Sequence, residues 1–149
     1  MIKYKEAEDI KEKARAFFID LKKYVFDGSE KFLQSLPEKD IYLLTYGEKG
    51  FQDLKVEGSG LKNFFREVIV VQGNKPEEIE RVAKRDGFAL DETIVFADNR
   101  CGHFAGAKER GIITIHLKRE SDKYSKEPCE GCQYTVKDFD ELSQVLKNL

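Results

Sequence analysis

No stretch of this sequence approaches the ~20 consecutive apolar residues of a membrane-spanning helix. The opening MIKYKEAEDIKEKARAFF is too charged for a secretory signal. With both absent, the chain reads as cytoplasmic, and no membrane partner is expected. No lysine and arginine block is long enough to follow a nucleic-acid backbone. The 26 basic and 28 acidic residues nearly cancel to −2, so nucleic acid is not an expected partner either. Cysteine is scarce: three residues are an odd number and too few for a disulfide scaffold. In a reducing compartment they would be free thiols, metal ligands or redox groups. Internal repeats and low-complexity segments are also lacking. What remains is a chain of 149 residues, about one domain, able to bury roughly two thirds of its unfolded surface without a staple.

The apolar residues Ile10, Ala14, Phe17, Leu21 and Val25 recur at helical spacing and predict an amphipathic helix over Glu6–Phe26. Ser29 is placed to cap a second helix, EKFLQSL, which Pro37 would end. Four short β-branched runs follow, DIYLLTYG, EVIVVQG, TIVFADN and GIITIHL, each closed by a polar or glycine turn. Such runs suit strands covered on both faces. Helical patterns separate them: a short one around GFQDLK, a clear one in KPEEIERVAKRDG, and one in HFAGAKERG. GSGLKNFF reads as a glycine-rich turn into a helix with Phe64 and Phe65 in the core. Tyr134 to Val136 add a small strand before a last helix, DFDELSQVLKNL. Alternation of this kind predicts an α/β fold with a mostly parallel sheet of about four or five strands flanked by helices. The expected division is an N-terminal helical segment, residues 1–36, and a core, residues 37–149.

In open parallel sheets the binding crevice lies beyond the carboxyl ends of the strands. Here those ends carry Thr45, Asn74 and Lys75, Asp98 and Asn99, and His116. A hydroxyl, an ammonium and a carboxylate on one edge would suit a phosphate and a divalent cation. Singly, each has a plainer explanation: a β-branched strand end, a solvated first-turn lysine, a carboxylate paired to that lysine. A strand-borne histidine such as His116 is more often a satisfied sheet residue than a ligand.

The order LLTYG, then GNKPEEI, then VFADN followed by AKERG resembles the second, third and fourth signature motifs of the haloacid dehalogenase-like (HAD) phosphohydrolase superfamily. The resemblance extends from about Phe17 to the C-terminus. It implies a Rossmann-like core preceded by helices that look like the tail of a cap. It also implies Thr45 holding the phosphoryl group of a small phosphorylated metabolite, Lys75 stabilising its charge, and Asp98 binding Mg²⁺; Asn99 departs from the pattern, standing where many relatives keep a second acidic residue, and its amide oxygen could support the metal without adding charge. The family's first motif, a strand ending in Asp-x-Asp-x-Thr that supplies the nucleophile, appears nowhere in the sequence. In the family this strand lies between those corresponding to DIYLLTYG and TIVFADN. AFFIDLKKY ends an apolar run on Asp20, but Lys22 and Tyr24 stand where the acid and threonine belong, and helical spacing explains the same residues. The expectation is therefore an incomplete or inactive chain: a fragment, a sheet repaired from within, with Met1–Tyr4 one short source, or a strand supplied by a partner or a second copy. A non-catalytic binding or assembly module on the same scaffold is the alternative.

Cys101 and His103 directly follow the third strand, and Cys129 and Cys132 form CEGC in the long loop after the fourth. If those strands are neighbours, both loops leave the same edge. Three thiols and an imidazole are the complement of a structural Cys₃His Zn²⁺ site. The plainer alternative has Cys101 as a small buried side chain, His103 as a helix N-terminal residue and CEGC as a turn able to oxidise locally.

Overall fold

The computed structural model describes residues 2–36, 41–89 and 92–149; Met1, Pro37 and Asp40 lie outside them. The chain forms two compact units, Met1–Val70 and Val71–Leu149. The first unit holds the N-terminal helices together with the first strand pair.

In the first unit, α1 (Ile2–Phe18) ends well before the expected Phe26. The Leu21 amide, which a continuing helix would use internally, donates instead to the carbonyl of Gly58 at 2.9 Å. A Cβ on Gly58 would lie 1.8 Å from the Phe18 carbonyl oxygen, so this contact requires glycine. The expected apolar stripe is only partly buried: Ala14, Leu21 and Val25 are half-buried. Ile10 and Phe17 are 67% and 61% exposed, whereas Phe18 packs edge-on against Phe51 at 5.5 Å. The second helix, α2 (Ser29–Gln34), enters through Gly28 at φ 82°. Ser29 is not its cap: the hydroxyl donates backward to the Phe26 carbonyl at 2.7 Å.

Strand β1 (Tyr42–Thr45) pairs in parallel with β2 (Glu67–Val70), Thr45 opposite Val70. The crossover helix α3 (Lys49–Ser59) is longer than the sequence suggested and ends only at Gly60, φ 75°. GSG therefore closes a helix rather than opening one. The following Lys62–Phe64 segment is a single 3₁₀ turn, and Phe64 and Phe65 are half-buried.

The second unit holds α4 (Lys75–Asp86), β3 (Val95–Asp98), β4 (Ile113–Leu117), β5 (Tyr134–Val136) and α5 (Phe139–Lys147). The strand order is β3-β4-β5, all parallel. Flanked on both edges, β4 is the strand buried nearly throughout, with Ile115 at 0% exposure. Phe96, Phe104, Ala107 and Ile112 form the core, with Ile79 and Ile94 packed against it. Each large apolar side chain so buried contributes about 1.5–3 kcal/mol.

The helix expected over HFAGAKERG is instead two 3₁₀ turns, Cys101–Phe104 and Lys108–Arg110. Gly106, at φ 81°, turns the backbone left-handed between them, and Arg110 spans the break by donating to the Gly106 carbonyl at 2.8 Å. Among the described residues the strands form a two-stranded and a three-stranded parallel sheet. Strand β1 ends its sheet and so does β3, and no described strand corresponds to the family's first motif.

Candidate functional site

The second unit builds a buried charge cluster where the sheet's carboxyl edge meets the start of α4. Asn74 fixes that start: its side-chain oxygen accepts from the Glu77 amide at 3.2 Å, and Pro76 sits in the first turn. Lys75 is thereby held at the helix's first position. Its Nζ donates to Asp98 Oδ2 at 2.6 Å and lies 5.7 Å from the Phe96 ring centroid. The two side chains are 8% and 9% exposed. His103 Nδ1 meets the same Oδ2 at 2.9 Å, and the Arg100 amide donates to Oδ1 at 3.1 Å.

Burial alone would push the Asp98 carboxyl up. The Lys75 hydrogen bond and charge, helped by His103, outweigh it and hold the group below the usual carboxylate range. Why a partly buried strand ends on a carboxylate thus has an electrostatic answer: the opposite charge lies at hydrogen-bonding distance.

Lys75 and Asp98, predicted from different motifs, are brought together; His103 joins them rather than the thiols. Asn99 turns away from Asp98, its amide donating to Asp122 Oδ2 at 2.5 Å. Thr45, in the first unit, ends β1 with its hydroxyl on Gln52 Oε1 at 3.1 Å. The first amides of the helix that follows are taken by Glu48, which accepts from Gly50 and Phe51 at 3.0 and 2.8 Å. Those two bonds lower its carboxyl pKa. Asp20 lies beyond the end of α1 on no strand, exposed, accepting from the Lys22 amide at 3.3 Å. Asp122 escaped the sequence reading because it sits in an irregular loop, where spacing carries no periodic signal.

The expected Cys₃His zinc set is not assembled. Cys101 and Cys129 are joined in a disulfide, and His103 is committed to Asp98. The predicted proximity of the two loops does hold, because β3 and β4 are neighbours. Cys132 is a free thiol. The histidine near the sulfurs is His116, the one read from sequence as a satisfied strand residue. Its Nε2 faces the Asn99 carbonyl at 3.2 Å, while its buried Nδ1 has no hydrogen-bond partner.

Parallel strands joined through helices make an α/β fold like that of HAD-like hydrolases. Solved structures bear this out at the level of fold. The chain superposes on a haloacid dehalogenase-like family hydrolase from Xanthomonas campestris with TM-score 0.66 and 21% identity, covering 83% of this chain and 50% of that one. L-2-haloacid dehalogenase from Xanthobacter autotrophicus, with chloropropionic acid covalently bound, gives 0.66 and 18%, covering 83% and 61%. The magnesium-bound HAD-hydrolase YfnB from Bacillus subtilis gives 0.62 and 22%, covering 81% and 55%. The chain thus spans about half to three fifths of the length of these structures. No protein-family model matches the sequence, and a search of curated proteins gives no significant match. Among the described residues, no helix is long and apolar enough to cross a membrane.

Magnesium, which the resemblance implies, can be tested against the donor set. Mg²⁺ takes hard oxygens in near-octahedral order. Asp98 offers one carboxylate whose Oδ2 already holds an ammonium and an imidazole, and whose Oδ1 accepts an amide. Asn99 is engaged elsewhere. As arranged, these residues do not fit the ion.

Proposed function

We propose that this chain is a HAD-like phosphohydrolase scaffold for small phosphorylated metabolites that is catalytically incomplete by itself. The observation that carries the reading is the buried Lys75–Asp98 pair at the carboxyl edge of a parallel sheet. In a complete enzyme of this kind an aspartate attacks phosphorus and water hydrolyses the resulting phosphoaspartate. Lys75 would stabilise the developing charge. Asp20, the nucleophile candidate read from sequence, is exposed and hydrogen-bonded to its own loop. Lys75 therefore has Asp98 as its anionic partner.

The test is hydrolysis of p-nitrophenyl phosphate by the purified chain, with and without Mg²⁺. No turnover above the blank is expected in either case. Robust Mg²⁺-dependent turnover would refute the incompleteness, and its loss in Asp20→Asn would identify Asp20 as the nucleophile.

A second reading is a non-catalytic module that accepts a strand from another chain or a second copy. It is favoured by β1 and β3 each ending its sheet. Size-exclusion chromatography with light scattering separates the two readings: a well-folded, monodisperse monomer argues against strand acceptance.

A further inference from the structure

The second unit gathers soft ligands around one buried imidazole. His116 lies on β4, between β3 and β5, opposite Asp98 on one side and Thr135 on the other. It is 1% exposed. With Nε2 against the Asn99 carbonyl at 3.2 Å, the proton belongs on Nε2 and the lone pair on Nδ1. That Nδ1 is buried and has no hydrogen-bond partner, an arrangement native interiors rarely tolerate without a ligand. Independently, a ring nitrogen of His116 and the sulfurs of Cys129 and Cys132 all lie within 4.8 Å of one another. Cys101 Sγ is one covalent bond away, 2.06 Å from Cys129 Sγ.

We propose that the reduced chain binds one Zn²⁺ through Cys101, Cys129, Cys132 and His116 Nδ1, and that the Cys101–Cys129 disulfide is the metal-free alternative of the same site. This goes beyond the hydrolase reading and does not depend on it. The chemistry balances in two steps. Two equivalents of a low-molecular-weight thiol reduce the disulfide to two cysteine thiols and leave as their own disulfide. Zn²⁺ then takes three thiolates and the neutral imidazole, releasing three protons.

The movement needed is small. Tetrahedral Zn–S bonds of about 2.3 Å place sulfurs roughly 3.8 Å apart. The bonded pair must therefore open, and the remaining ligands must close by about an ångström. The second sphere is already in place, because a zinc-bound histidine ordinarily donates its other ring N–H to a carbonyl or carboxylate; here that acceptor is Asn99. In the oxidised chain two of the three thiolates are consumed, so metal and disulfide exclude each other.

The experiment is an anaerobic titration of the full chain with Co²⁺, once fully reduced with a phosphine and once oxidised. The reduced chain should take one equivalent, with the strong visible bands of tetrahedral cobalt and thiolate-to-cobalt charge transfer, and Zn²⁺ should displace it. The oxidised chain should show none of this. His116→Gln and, as a second variant at a half-buried position, Cys132→Ser should each weaken binding at least roughly tenfold with an unchanged far-UV circular dichroism spectrum. His103→Gln should leave this affinity intact. A folded, reduced chain without the cobalt spectrum, or a His116→Gln variant binding as tightly as the parent, would overturn the assignment.

Discussion

Removing the Lys75 ammonium while keeping its stem, as in Lys75→Met, isolates the electrostatics of the cluster. Asp98 would keep its burial and its contacts with His103 and the Arg100 amide, but lose the ion pair at 2.6 Å. Breaking a buried pair by deleting one partner costs about 3–5 kcal/mol. The remaining donors place this case at the lower end, about 3 kcal/mol. For a chain of this length that corresponds to a fall in Tm of roughly 6–12 °C.

The effect should also depend on pH. In the parent, the Asp98 carboxyl is held below its ordinary range. Its stabilisation is therefore fully present above the unfolded-state pKa, about 3.9, and is lost as pH falls through the lower folded value. Without Lys75, burial is left opposed only by the weaker contacts, so protonation relieves the variant at a higher pH than the parent. The stability gap should thus narrow on acidification. Urea unfolding at several pH values measures it, and Lys75→Met/Asp98→Leu should cost less than Lys75→Met alone, since no unpaired charge stays buried. A single variant within about 0.5 kcal/mol of the parent, the scatter of an ordinary surface change, would refute the reasoning. So would a gap independent of pH.

Other outcomes follow from particular contacts. Gly58→Ala should destabilise the first unit by about 1–3 kcal/mol, because the new Cβ would meet a backbone oxygen rather than a movable side chain; urea unfolding reads this directly. Asp138→Ala removes the cap that accepts from the Glu141 amide at 2.8 Å and should cost about 1 kcal/mol at α5, measured in the same way. Thiol titration of the oxidised, unfolded chain should find Cys132 alone, and peptide mapping should recover Cys101 linked to Cys129. In metal-free buffer, reducing that link across 28 residues should lower stability by about 3–4 kcal/mol, and an unchanged denaturation midpoint would contradict this.

The sequence made the second unit more legible than the first. Its strands are β-branched runs closed by polar residues, and α4 announces itself by Asn74, Pro76 and Gly87, so Lys75 and Asp98 could be placed on one edge in advance. Helical spacing misled where an alternative backbone contact won. The pattern from Ile10 to Val25 continues past Phe18, yet Leu21 bonds to Gly58. In HFAGAKERG the apolar spacing is helical, but Gly106 adopts a left-handed conformation. Proximity along the chain favours His103 as the thiols' neighbour, whereas parallel pairing of β3 with β4 brings His116 to them from another strand. Asp98 then competes for His103, at 2.9 Å.

The most direct measurement is the pH titration of the Asp98 side-chain carboxyl by ¹³C NMR. The account predicts a midpoint below the ordinary carboxylate value of about 3.9, moving upward in Lys75→Met. A midpoint at or above that value in the parent, unmoved by the substitution, would show that no buried ion pair holds Asp98 at the strand end.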